Sequence, residues 1–315
     1  MGKMERFFYT CDIHGSEMTF RKFLNAAEMY GMKTMILAGD LSGKGFALVE
    51  HDGNDNYKTQ IYNEEWTASG KDEFELLKRK MTTLGFYFKI GTKSELEEYT
   101  GNPKRCQEAY DLLASDRMAD WVRRIEEKFK PAGIKIFVLA GNDDADNIKQ
   151  TLDLSDYIID AENQIVMITE SNEMLSEGHS NPTPWNTPRE VSEEDLAKIL
   201  QSKIDQLEHP EKSIFNIHVP PKDSIIDSVT DIDPKTLKRD LRRIKGAGST
   251  AVREVIEKYQ PLVGLHGHIH ESRGEFKLGS TVCLNPGSEY AEGILRGVII
   301  AVDDKKLRGY QFTSG

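Results

Sequence analysis

Five short clusters of metal-ligating residue types run along the 315-residue chain: Asp12-Ile13-His14, Gly39-Asp40, Gly141-Asn142-Asp143-Asp144, Asn216-Ile217-His218 and His266-Gly267-His268-Ile269-His270. Each is weak alone, since an Asp-x-His triplet arises often by chance. Together Asp12, Asp40 and Asn142 supply three oxygen ligands, and His14, His218, His268 and His270 supply four imidazoles. This mixed nitrogen and oxygen set suits two adjacent divalent transition metals. A two-metal hydrolase is the first reading.

The elements that carry these clusters can be read from the hydrophobic pattern. Phe7-Phe8-Tyr9-Thr10-Cys11 is a short apolar run that predicts a buried strand delivering Asp12 and His14. Ser16 then caps a helix whose buried face is Phe20, Phe23, Leu24, Ala27 and Tyr30, with Gly31 as its stop. Thr34 to Ala38 is the next strand and ends at Gly39-Asp40. A βαβ unit of this kind is parallel and right-handed by default, and ligands at the carboxyl ends of parallel strands fall in one crevice. Ile134 to Ala140 and Ser213 to Ile217 predict further strands that deliver Asn142 and His218. Pro261 to Leu265 leads into the histidine-rich cluster, and Ser249 to Tyr259 reads as a helix. Strands near Tyr157 to Ile159 and Ile165 to Ile168 precede a Pro-rich loop, whose Trp185 is expected either along the cleft or on the core. Ser192 opens a helix toward Leu207. Strands near 281–284, 298–302 and 307–312 are expected to finish a second sheet.

Roughly a hundred residues separate the Asp40 and Asn142 clusters, far more than a loop or crossover needs. Residues 46–130 are therefore expected to form an inserted cap within a single 1–315 domain. A β-hairpin is predicted for Phe46 to Glu50 and Tyr57 to Ile61 around the turn-rich His51 to Asn56. Helices follow over Glu73 to Leu84 and Cys106 to Phe129.

Composition narrows the setting. A net charge of −11 argues against a broad basic surface for extended DNA contact. Cys11, Cys106 and Cys283 are too few and too scattered for a disulfide framework, which favours a reducing, cytoplasmic location. No apolar stretch reaches membrane-span length, so no membrane partner is expected.

In this order the clusters resemble the blocks of the calcineurin-like metallophosphoesterases: D-x-H, G-D, G-N-H-D/E, a lone histidine after a strand, and G-H-x-H. The resemblance covers the frame of nearly the whole chain outside the insertion. It implies an α/β fold of two packed mixed β-sheets flanked by helices, an αββα four-layer sandwich. It also implies Asp12, His14 and His270 on one metal, Asn142, His218 and His268 on the other, and Asp40 bridging. The activity implied is attack of a metal-bridging hydroxide on the phosphorus of a small phosphate ester or nucleotide. The cofactors implied are two divalent metal ions, with manganese, iron, zinc and nickel all compatible with the ligand set.

Asp143 departs from the pattern, because it stands where members with the G-N-H block carry a histidine. A carboxylate there repels phosphate unless burial raises its pKa. The expectation is a phosphodiesterase rather than a phosphomonoesterase, with Asp143 either a proton donor or turned away. Asn142 and Lys44 are candidate substrate contacts, although a lysine between Gly43 and Gly45 also reads as a solvated loop residue. His266 reads as structural, and so does the Asn285-Pro286-Gly287-Ser288 turn. The basic stretch Lys238 to Lys245 reads as a solvated helix face, and Gly246 to Ser249 as a capped helix start that could bind an anion. A metal-binding interaction scaffold and a nuclease are the competing functions, and the oligomeric state is left open.

Overall fold

The computed structural model describes residues 3–162, 164–232 and 239–315. In chain order the first half comprises β1 (Glu5–Cys11), α1 (Glu17–Met29), β2 (Thr34–Ala38), β3 (Gly45–His51), β4 (Asn56–Ile61), β5 (Glu64–Ser69), α2 (Gly70–Thr83), β6 (Phe86–Gly91), α3 (Lys93–Leu96), α4 (Pro103–Phe129) and β7 (Lys135–Leu139). The second half comprises α5 (Asp146–Leu152), β8 (Ile159–Asp160), β9 (Val166–Met167), β10 (Glu173–Glu177), α6 (Glu193–Ile204), β11 (Ile214–Ile217), β12 (Ser228–Ile232) and β13 (Arg239–Gly246). It ends with α7 (Thr250–Tyr259), β14 (Val263–Leu265), β15 (Gly274–Leu278), β16 (Thr281–Asn285), β17 (Arg296–Val302) and β18 (Leu307–Ser314).

Two mixed six-stranded sheets form the frame, ordered β18-β17-β1-β2-β7-β8 and β15-β16-β14-β11-β10-β9. They pack face to face. Phe7, Tyr9, Ile36 and Phe137 from the first sheet meet Met174, Ile214, Val263 and Leu284 from the second. The alternate residues Phe8, Met35, Leu37 and Val138 point to the other face and bury Phe20 and Phe23 of α1, Trp121 and Phe129 of α4, and Ile148 of α5. On the far side of the second sheet, Leu175 and Phe215 cover Leu196 and Leu200 of α6 and Val252 and Ile256 of α7. Both faces of the central strands are thus buried, which is why β1 is a nearly continuous apolar run rather than an alternating one. The layers are α, β, β, α.

Two details differ from the sequence reading, and one open alternative is decided. Only residues 281–285 of the three late segments join the second sheet. β17 instead pairs antiparallel with β1, and β18 with β17. The chain returns to the first sheet because Val298, Ile300 and Val302 place a period-two apolar face into the inter-sheet core. Arg239–Gly246 is a strand pairing antiparallel with β12, not a helix; Lys238 lies outside the described residues. Trp185 packs on no core and is 57% exposed.

The segment after β2 builds a third sheet, ordered β5-β4-β3-β6, closed by α2, whose Phe74 and Met81 pack with Val49 and Ile61 of the sheet. The predicted hairpin is β3 and β4. β5 and β6 were not foreseen, since Glu64–Ser69 is polar and Phe86–Gly91 follows a helix directly. α4 links this sheet to the frame: Tyr110 bonds to Gly43, while Met118, Trp121 and Phe129 lie in the core on the first sheet. Among the described residues no helix is long and apolar enough to cross a membrane.

Candidate metal centre

The five clusters all follow carboxyl ends of strands: Asp12 after β1, Asp40 after β2, Asn142 after β7, His218 after β11, and His268 and His270 after β14. β1, β2 and β7 run parallel, as do β11 and β14, so these ends converge at one edge of the sandwich. Hydrogen bonds then zip the loops together. Asp12 N donates to Gly39 O at 3.1 Å and His14 N to Asp40 O at 3.0 Å. Gly267 N donates to His218 O at 2.9 Å, and His268 N reaches both Asp12 oxygens at 3.1 Å. The buried Asp144 carboxylate accepts from Leu41 N, Ser42 N, Ser42 Oγ and Gly141 N, which fastens the loop after β2 to the loop after β7.

The fit at the glycines is close. Gly39 has φ +64°, and a Cβ there would land on the His218 ring. A Cβ on Gly141 would strike Asp40, and one on Gly267 would strike Asp12 and Cys11. Asp12, His14, Asp40 and His268 themselves have positive φ, of 54°, 40°, 46° and 65°. Non-glycine residues in this region are strained, and such strain concentrates at functional sites.

The side chains form two groups that share Asp40. Asp12, His14, Asp40 and His270 offer ligand atoms within 4.8 Å of one another, and so do Asp40, His218 and His268. His14 Nε2 faces His270 Nε2 at 3.0 Å, with Asp40 Oδ2 3.6 Å from the former and Asp12 Oδ1 3.5 Å from the latter. In the second group His218 Nε2 is 3.5 Å from Asp40 Oδ1, and Asn142 Oδ1 is 2.7 Å from His268 Nδ1. Both ring nitrogens of the fully buried His218 lack a hydrogen-bond partner among the described residues. Imidazole nitrogens that converge on carboxylates, and buried ones left unsatisfied, are what a cation site presents. The residues of these two groups could hold metal ions.

Electrostatics agree. Burial disfavours charge on His218, yet the Asp40 and Asp12 carboxylates outweigh it and lift the imidazole to about 9. These carboxylates demand positive charge at that point. Burial instead wins at His268, holding it at about 4, and at His14, well below its ordinary value, so both favour the neutral form that ligates.

No protein-family model matches the chain. An uncharacterised protein of Methanocaldococcus jannaschii, MJ1162, is 31% identical over 157 residues, which is 49% of this chain. The chain spans 64% of the length of that relative. One solved crystal structure aligns over 99% of both chains with a TM-score of 0.59 at 16% identity. TT1561 of Thermus thermophilus aligns over 99% of both with a TM-score of 0.55 at 12% identity. At these identities the likeness is one of fold.

Asp143 and Lys44 sit at the rim. Their side chains form an ion pair, with the lysine 36% and the aspartate 17% exposed. Burial and the Asp40 charge push the Asp143 carboxyl above its ordinary range, with Lys44 opposing them. Asp143 N donates to Asp40 Oδ1 at 2.9 Å. Asn142 spends its Nδ2 on Thr187 Oγ1 at 2.8 Å, which turns its Oδ1 toward His268. His266 is buried and bonds the carbonyls of Ile217 and Val219, on either side of His218. Asn285 Nδ2 holds Ile269 O at 2.9 Å, and Ser288 Oγ holds Asp12 O at 2.6 Å.

Three supporting groups escaped the sequence reading. Thr187 orients Asn142 from a loop that sequence marks only by its prolines. Tyr290 lies with its ring 4.7 Å from the His14 ring and 5.9 Å from the His270 ring. Asp144 was visible as a fourth polar residue in its cluster, but its role depends on folding. The Gly246 to Ser249 turn binds no outside anion, because Glu193 fills it: the Glu193 carboxylate accepts from Ser249 Oγ, Thr250 N and Ala251 N.

Proposed function

We propose that this protein is a binuclear-metal-dependent phosphoesterase that prefers phosphodiesters. The observation that carries the proposal is the position of Asp40, shared between two groups of buried ligands at one sandwich edge. In this reading Asp12, His14 and His270 would hold one divalent ion and Asn142, His218 and His268 the other, with Asp40 shared between the two groups. The bound pair supplies Lewis acidity toward phosphoryl oxygen and lowers the pKa of a coordinated water.

The chain's own residues set the preference. Lys44 is the cation at the rim, and its pairing with Asp143 leaves that rim without surplus positive charge. A phosphodiester carries one negative charge and is accepted there. A phosphomonoester carries nearly two and finds no surplus positive charge there to offset the second. When the leaving oxygen departs, the Lys44–Asp143 pair is the protic group beside it. Residues 46–130 act as the cap that frames the substrate, within one 1–315 catalytic domain.

The test is hydrolysis of bis-p-nitrophenyl phosphate and p-nitrophenyl phosphate by metal-reconstituted protein, with Asp40→Asn as control. Diester turnover that vanishes in the variant, with metal content falling below two per chain, is the expected result. Two bound metals with no turnover of either ester would overturn it in favour of an interaction scaffold.

A further inference from the structure

The Pro-rich loop after β10 is tied to the candidate site through its backbone. Arg189 N donates to Asn142 O at 3.0 Å and Arg189 Nη1 to Gly141 O at 3.1 Å, while the Arg189 guanidinium pairs with the buried Glu162 carboxylate. The loop closes on itself where Ser180 N donates to Arg189 O at 3.2 Å and Val191 N to Ser180 O at 2.9 Å. With Asn142 pinned in this way and only 2% exposed, one freedom of its side chain still matters, the rotation of the terminal amide by half a turn. That rotation exchanges an oxygen, which can ligate a cation, for an NH2 group, which cannot.

What decides the rotation lies two hydrogen bonds away. Glu190 Oε1 accepts from Thr187 Oγ1 at 2.7 Å, Thr187 N at 2.8 Å and Thr183 Oγ1 at 2.5 Å, and Glu190 Oε2 accepts from Thr183 N at 2.8 Å. Burial pushes the Glu190 carboxyl up, but the Thr183 and Thr187 donors outweigh it and hold it below its ordinary range. An ionised carboxylate only accepts, so the single hydroxyl proton of Thr187 points to Glu190. Thr187 Oγ1 then has only lone pairs to offer Asn142. The amide must answer with Nδ2, at 2.8 Å, and its Oδ1 is thereby turned to His268 Nδ1, 2.7 Å away.

We infer that Glu190 and Thr187 form a directional relay that holds the Asn142 amide with its oxygen toward the second ligand group, so that Glu190 is a positioning residue for a ligand it does not touch. The inference rests on the two-metal reading for what the oxygen serves, and on the hydrogen bonds alone for its direction. Glu190→Met releases the Thr187 proton to Asn142, and the amide then gains as much by facing Oδ1 to Thr187 as by facing Nδ2. Glu190→Gln keeps the direction. The new amide oxygen can take the place that accepts three of the four bonds, leaving only Thr183 N unmet. Partners that orient a metal ligand are worth about 10–100-fold in metal affinity.

The experiment titrates metal-free protein with manganese(II), reading bound metal by equilibrium dialysis and electron paramagnetic resonance, and follows exchange of the Asn142 side-chain amide protons by NMR before metal is added. The wild type is expected to bind two ions as a spin-coupled pair and to protect that amide. Thr187→Val and Glu190→Met should weaken one of the two ions about 10–100-fold, leave the other with an isolated-ion spectrum and speed the amide exchange. Thr187→Ser and Glu190→Gln should stay within about threefold of the wild type, because both keep the hydroxyl proton pointed at residue 190. Both ions bound as tightly in Thr187→Val and Glu190→Met as in the wild type would overturn the relay. An equal loss in all four variants would overturn it too, since that marks collapse of the loop rather than loss of direction. Fewer than two ions on the wild-type chain, with amide exchange still separating the two pairs of variants, would uphold the relay and refute the two-metal reading instead.

Discussion

If the proposed diester preference holds, the Lys44–Asp143 pair makes it a matter of charge, and Asp143→Asn tests it directly. Asp143 Oδ2 lies 4.0 Å from His14 Nδ1, so its charge bears on whatever occupies the centre. A phosphoryl oxygen about 6 Å from that carboxylate carries its extra charge at a cost of about 3 kcal/mol when the effective dielectric constant is about 20. Lys44, in contact but 36% exposed, screens part of this and leaves about 2 kcal/mol, equivalent to a roughly 30-fold rate ratio. Asp143→Asn removes the repulsion and also frees the Lys44 cation for phosphate. The ratio of monoester to diester kcat/KM should therefore rise about 30-fold, measured on the two p-nitrophenyl esters at constant metal occupancy. Lys44→Met should move the ratio the other way. A ratio within about threefold of the wild type in both variants would refute the charge argument, since neither carboxylate nor ammonium would then sense the second phosphate charge.

Other consequences are equally direct. Gly39→Ala combines a positive φ with a Cβ on the His218 ring and should destabilise the fold by about 2–4 kcal/mol in a urea melt; an unchanged midpoint would mean the loop yields freely. Glu177 is buried, which raises its pKa, but His179 and Lys203 overcome that and hold it at about 2 against an ordinary 4.5. Its folded pKa is depressed, so it contributes stability above pH 4.5 that is lost as pH falls toward 2, about 3 kcal/mol in all. Glu177→Gln should flatten the stability profile across that acid window and lower the neutral-to-alkaline limb without changing its slope. Tyr62 sits at the β4–β5 hairpin tip with φ +50° and its ring edge-on to Phe86 at 5.2 Å. Tyr62→Asn should relieve the turn by roughly 0.5 kcal/mol yet raise KM for the diester several-fold, and an unaltered KM would assign the strain to the hairpin alone.

The frame was legible because its strands are buried on both faces and each ends in a ligand-type cluster. Phe7 to Cys11 and Thr34 to Ala38 need no partner information to read as core strands, and Gly39-Asp40 marks where the second one stops. The late strands were assigned to the wrong sheet for a topological reason. Val298 to Val302 has the same alternation whether it completes the second sheet or flanks β1, and only tertiary packing decides between them. The polar strand Glu64–Ser69 contributes only Ala68 and the partly buried Trp66 to the core of its small sheet, too little for a pattern. At the site, residue types pointed to the seven candidate ligands because metal chemistry restricts the choice. Thr187, Asp144 and Tyr290 act through position, and threonine, aspartate and tyrosine are ordinary in loops.

The distribution of strain explains why two parts of the chain take different roles. Asp12, His14, Asp40 and His268 occupy left-handed backbone, at a cost on the order of 1–3 kcal/mol each. Such conformations persist only where surrounding structure over-determines them. Here each strained loop is bonded to the next one, Asp12 to Gly39, His14 to Asp40, His268 to Asp12, and each is rooted in a strand buried on both faces. A site built this way tolerates little variation, because a shift in one loop is transmitted to the other ligand set through Asp40. The inserted sheet is under no such constraint. It meets the frame partly through close backbone contacts, the Gly85 backbone lying against the His14 carbonyl and Gly43 where a side chain would collide, and partly through Tyr87, which is buried in the frame core. Beyond that seam, exposed residues such as Tyr62 can change without disturbing a candidate ligand. The sandwich edge that carries the candidate ligands is thereby held by its own bonding, while the insertion beside it answers to no such constraint.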